Sequence, residues 1–63
     1  MLIAELTRIE PGTLVILGAV AHVVAKNDGV SLYLTSPEGE EISLGYSEAK
    51  RIGIRDLLGR AYR

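Results

Sequence analysis

Apolar and polar positions alternate residue by residue over much of this chain, and the period lengthens near its end. Val30-Ser31-Leu32-Tyr33-Leu34-Thr35 shows the alternation most clearly. That is the period of a strand with one covered face, with Val30, Leu32 and Leu34 inward and Tyr33 opposite. Glu41-Ile42-Ser43-Leu44 repeats the pattern. Thr13-Leu14-Val15-Ile16-Leu17 is continuously apolar, as expected of a strand covered on both faces. Gly18 marks a bulge or bend that lets Ala19 to Lys26 change direction, and Leu2 to Ile9 reads as a mixed first strand. Five strands are expected.

Turn signals separate these segments. Glu10-Pro11-Gly12-Thr13 has Pro second and Gly third, the type II pattern. Lys26-Asn27-Asp28-Gly29 supplies residues that tolerate positive φ, a hairpin cue. Ser36-Pro37-Glu38-Gly39, with Ser first and Gly fourth, fits type I.

From Ser47 the reading switches to a helix. Ser47 is placed to be its N-cap, Glu48 suits the positive end of the helix dipole, and Gly53 weakens the middle. Ile54, Leu57, Leu58 and Ala61 follow helical spacing and form an apolar stripe. A stripe that short needs a surface to pack on, so Leu57→Ala with Leu58→Ala is expected to unfold or dissociate the protein. The expected fold is mainly β: one domain over residues 1–63, with a small five-stranded antiparallel barrel or sandwich in 1–46 and a C-terminal helix in 47–63.

Composition adds a constraint on assembly. The chain has 63 residues, 48% of them hydrophobic, without Cys, Phe or Trp. A domain this small buries a modest share of its surface and gains stability from disulfides, metals or a second chain. Disulfides are excluded by the lack of Cys, and one His is a poor start for a metal site. A homo-oligomer, most simply a dimer, is therefore expected. The apolar run from Thr13 to Ala25 is too short for a spanning helix, and no basic region precedes an apolar stretch at the start. A cytoplasmic protein without membrane contact is expected.

Charge is unevenly placed although the net is −1. Residues 1–46 hold six acidic and two basic side chains, whereas 47–63 hold five basic and two acidic. The basic tail reads either as an ordinary solvated helix end or as a dock for phosphate or an acidic partner. Arg8, Arg51, Arg55, Arg60 and Arg63 are the candidates for RNA or anion binding, and Tyr33, Ile54, Leu57 and Leu58 those for an interface.

Catalytic chemistry finds little material. His22 alternates with Val20 and Val24, so it belongs to an apolar strand face, with no second imidazole or thiol to complete a site. Glu38, Glu40 and Glu41 cluster in a turn, where glutamates keep strand edges from pairing. No P-loop, GxGxxG or zinc spacing is present. No catalytic residue, metal or cofactor is assigned.

The chain also resembles a known family. Met1-Leu2-Ile3, Leu6-Thr7-Arg8 and Thr13-Leu14-Val15-Ile16 are similar to the first two strands of the carbon storage regulator family of small bacterial RNA-binding proteins. Pro37 and Glu48-Ala49-Lys50-Arg51-Ile52 fall where that family has a proline and the start of its helix. The resemblance covers residues 1–52 and rests on short motifs. It implies an interlaced dimer that grips a GGA-containing RNA loop, with Leu6 and Arg8 in the first-strand motif. Two departures weigh against the activity: Ile9 stands where the family has a second arginine, and Leu44-Gly45-Tyr46-Ser47-Glu48 lacks the arginine that ends its fifth strand. The fold can be shared without the RNA contacts.

The function expected is a non-catalytic, oligomeric binding or regulatory protein with RNA as one partner class. The alternative is an accessory or phage-encoded inhibitor that binds a protein or a small anionic ligand such as a nucleotide.

Overall fold

The computed structural model describes residues 5–62. Its centre is a four-stranded antiparallel meander in the order β1-β2-β3-β4. The strands are β1 (Leu14–Leu17), β2 (Val20–Asn27), β3 (Ser31–Thr35) and β4 (Glu41–Gly45), followed by α1 (Tyr46–Ile52). The expected mainly β fold with a helix after the strands is present. The sheet is open, not a closed barrel, and the described residues form four strands where five were expected.

The turns predicted at Glu10–Thr13 and Ser36–Gly39 close in place, whereas Lys26 and Asn27 of the third belong to β2 and that turn closes over Asp28–Ser31. Gly12 has φ 94° and the Thr13 amide donates to the Glu10 carbonyl at 3.1 Å, as a type II turn demands. Gly18 is the first central residue of the two-residue link between β1 and β2, with φ 65°. Glycine in that place matches the twist of a tight hairpin.

The covered face of the sheet carries Val15, Val24, Leu32, Leu34 and Leu44, joined in the core by Leu6, Ile9, Ala49 and Ile54. Burying each leucine contributes roughly 1.5–3 kcal/mol. Val30, expected inward, is 69% exposed because it lies in the turn before β3. His22 faces inward beside the Val15 row, whereas Val20 at the end of β2 is exposed.

A bulge in β2 sets the rest of the design. Val24 pairs with Leu34 and Lys26 pairs with Tyr33, so Ala25 is an extra residue. The bulge reverses the in-out phase, and Asn27, instead of Lys26, lies on the covered side with Leu32. There Asn27 Nδ2 donates to the carbonyls of Leu6 (2.8 Å) and Ile9 (2.9 Å), while its Oδ1 accepts the Tyr46 hydroxyl and the Gly29 amide. One amide thereby ties the N-terminal segment, the sheet and the start of α1 together.

That latch holds the described part of the expected first strand in another conformation. Glu5–Arg8 is a 3-10 turn whose Leu6 plugs the core, and residues 2–4 of the expected strand lie outside the described residues. A strand here would align its carbonyls for a ladder. The 3-10 turn instead aims two of them at a single side chain.

The helix is also shorter than expected. Gly45, not Ser47, occupies the N-cap, and Gly53 ends the helix in the left-handed conformation (φ 82°) with its amide donating to Ala49 at 2.9 Å. Gly53 is a terminator, not a weak point. Beyond it the chain is extended. The amide of Ile16 donates to Arg55 at 2.7 Å and that of Arg55 donates back to Ile16 at 3.0 Å, so the segment joins the edge of β1. Arg55 in turn opposes Ala61, giving a small C-terminal hairpin. Among the described residues no helix is long and apolar enough to cross a membrane.

Candidate functional site

The C-terminal hairpin turns on Asp56-Leu57-Leu58-Gly59. Asp56 donates its amide to the Arg60 carbonyl at 2.8 Å, and Gly59 donates to the Asp56 carbonyl at 3.0 Å. Gly59 has φ 86°, which closes the loop as a turn followed by a left-handed glycine. The Asp56 carboxylate organises the interior of the turn. Oδ1 accepts the amides of Leu58 and Arg60, both at 2.9 Å, and Oδ2 accepts Arg60 Nε at 3.0 Å. Arg55 Nη1 adds a bond to the Gly59 carbonyl at 2.9 Å.

The turn at Ser36-Pro37-Glu38-Gly39 is built in the same way. Ser36 Oγ accepts the amides of Glu38 and Glu40, and Gly39 closes the loop with φ 89°. What differs is the cargo. The Ser36 turn presents glutamate to solvent, whereas the Asp56 turn presents Leu57 at 61% and Leu58 at 78% exposure. Ile54, the other member of the expected stripe, is fully buried, and Ala61 is exposed. The stripe is therefore not one surface: Ile54 anchors the hairpin and the two leucines form its tip.

The remaining candidates are dispersed. Leu6 is completely buried, so its side chain is closed to RNA. Ile54 is likewise core and not an interface residue of the folded chain. Arg51 pairs with Glu48 at 3.3 Å and Arg60 with Asp56 at 3.0 Å, both at the surface. Arg8 ends the 3-10 turn far along the chain from them, and Arg63 lies outside the described residues. Arg8 lines a shallow cleft of about 320 Å³ with Glu5, Ile9, Glu10, Thr13 and Tyr62. Two carboxylates there oppose the guanidinium. Burial raises the pKa of the Tyr62 phenol, and the charges of Asp56 and Glu5 raise it further against the pull of Arg60.

His22 is held by its own strand: Nδ1 lies 3.0 Å from the Val20 carbonyl, to which its N–H donates. On the opposite face of the sheet Tyr33 is half-buried, with Lys26 Nζ 5.6 Å from its ring centre and its hydroxyl donating to Asp28 at 3.3 Å. The Asp28 charge raises the Tyr33 pKa, and the hydrogen bond adds to the effect.

Asp28 belongs to the hairpin cue Lys26-Asn27-Asp28-Gly29, and the one signal for Asp56 is a turn that ends in Gly59. Both have pKa values lowered from the ordinary aspartate value. The Val30 amide is the main cause for Asp28, followed by the Ser31 amide; for Asp56 it is the Arg60 amide, with the Arg60 side chain and the Leu58 amide assisting. A lowered folded-state pKa means stability that is present above the unfolded value near ~4 and lost as pH falls through the folded value. The melting temperature should therefore drop on acidification below about pH 4. Asp56→Asn should make that drop shallower, and an unchanged acid slope in the variant would refute the assignment.

Compared with protein-family models, curated proteins and solved structures, the chain matches none.

Proposed function

We propose that this protein is a non-catalytic, cytoplasmic binding module that regulates a protein partner through the Leu57-Leu58 turn. The observation that carries the proposal is the display of both leucines in solvent on a turn already ordered by Asp56. Exposed leucine on a mobile tail loses entropy when it binds. On a preordered turn that cost is already met by the fold, which favours affinity. The matching partner surface is an apolar pocket.

RNA is the second partner class, and the arrangement supports it less. Leu6 is inside the core, and Arg51 and Arg60 already face carboxylates. A small anion would meet Glu5 and Glu10 beside Arg8 in the cleft.

The test uses the full chain with Leu57→Ser and Leu58→Ser. Melting should stay within about 0.5 kcal/mol of wild type, since both side chains are at the surface. A nuclease-resistant protein partner held by the wild type and reconstituted from purified components should be released at least tenfold faster. Retention by the variant would overturn the reading. So would a wild-type ligand that proves to be RNA, recognised by affinity falling steeply with salt.

A further inference from the structure

The four strands cover one face, and the other face has its own pattern. Side chains that alternate with the core positions stand there in registered rows. Arg55, Ile16 and Ala21 are directly opposed across neighbouring strands, with Ala61 beyond Arg55. The next row is Leu14, Val23, Thr35 and Glu41. Leu14 and Val23 are exposed at 40% and 41%, and Ile16 is half-buried between them and the C-terminal hairpin. The centre of this face is thus aliphatic. One flank carries the guanidinium of Arg55 and the other the carboxylate of Glu41.

We infer that this face binds a second copy of the chain, sheet against sheet, about a two-fold axis running along β2. Such an axis lays each face on its own twin and exchanges the flanks. Val23 meets Val23 of the other copy, Ala21 meets Ala21, and Leu14 in β1 meets Thr35 in β3, the residue of its own row on the opposite side of the axis. Arg55 is carried to the flank where the other copy holds Glu41. The two charges are one side-chain step apart along the strands, roughly 7 Å, which an arginine spans. A face with one sign of charge on both flanks would repel its twin. Here the flanks attract.

Lys26 also lies on this face and on the axis, one row from Val23. Its ammonium lies to one side, over the Tyr33 ring at 5.6 Å from the centroid. The contact is small: at about 4.8 Å between strands and 3.4 Å per residue it measures roughly 19 by 17 Å. That is below a standard interface, so the association expected is weak and transient. The second layer of a sandwich would then come from the partner chain. This inference does not use the side chains of Leu57 and Leu58.

Sedimentation from low micromolar to submillimolar concentration tests it. The wild type should shift from monomer to dimer, and Val23→Lys should raise the dissociation constant tenfold or more while remaining folded, since it puts an ammonium into the aliphatic centre of the face with no ring beside it, unlike Lys26. Glu41→Arg and Arg55→Glu should each weaken the dimer, and the double exchange should restore it. Because the chain has no Cys, Val23→Cys adds a second readout: on oxidation it should cross-link to a dimer, whereas Val30→Cys, on an exposed turn, should not. A wild type that stays monomeric throughout, or equal cross-linking by the two variants, would overturn the inference.

Discussion

Asn27→Ala should be among the most damaging substitutions in this protein, lowering stability by about 2–4 kcal/mol. The side chain donates to the carbonyls of Leu6 and Ile9 and accepts the Tyr46 hydroxyl and the Gly29 amide. Alanine leaves these groups without their partner, in a region only partly open to water. A domain of this length has roughly 3–9 kcal/mol in all, so the loss takes a large share. Chemical denaturation at neutral pH measures it. Asn27→Asp separates the hydrogen-bond account from one of shape alone. The carboxylate has the same size but cannot donate to the Leu6 and Ile9 carbonyls, so the variant should be as unstable as alanine at pH 7 and partly recover where the acid protonates. An aspartate variant as stable as wild type at pH 7 would show that the latch has no energetic weight.

The second large effect should come from Ile54. It is fully buried, and it follows the glycine that ends α1 and precedes the arginine that joins the edge of β1. Ile54→Ala should cost about 2–5 kcal/mol, the range for truncating a buried aliphatic side chain. It should also free the C-terminal hairpin, which amide exchange at Arg55 and Tyr62 would reveal first. Leu57→Ala with Leu58→Ala, three and four residues further on, should change stability by about 0.5 kcal/mol or less. Helical spacing predicts similar costs at all three positions. Comparable destabilisation by the leucine pair would restore the helix and remove the displayed turn.

The contrast shows why helical spacing does not give the structure of residues 53–62. Ile54, Leu57, Leu58 and Ala61 have helical spacing, but spacing does not say which side chains are covered. The opposing signal was in the glycines. Gly53 and Gly59 both take positive φ, one ending a helix and the other closing a hairpin. Asp56-Leu57-Leu58-Gly59 has the same polar-first, glycine-fourth form as Ser36-Pro37-Glu38-Gly39, which was read correctly with the help of its proline. Asn27 escaped notice for another reason. It sits inside a turn signal, where asparagine is ordinary, and only the bulge at Ala25 brings it to the covered face.

Local sequence determined the strands and turns of the meander. Alternating side chains and glycines at positive φ act over two to four residues, a range in which backbone sterics dominate. The tertiary structure decided three matters that no local pattern contains. The bulge in β2 inverted the phase of one strand end, and the amide it turned inward holds the described part of an expected strand in another conformation. The open edge of β1 captured Arg55, making a hairpin of a stretch with helical spacing. Unpaired backbone groups and buried polar side chains take whichever partners the whole fold supplies, and those partners are set by three-dimensional neighbours instead of sequence neighbours.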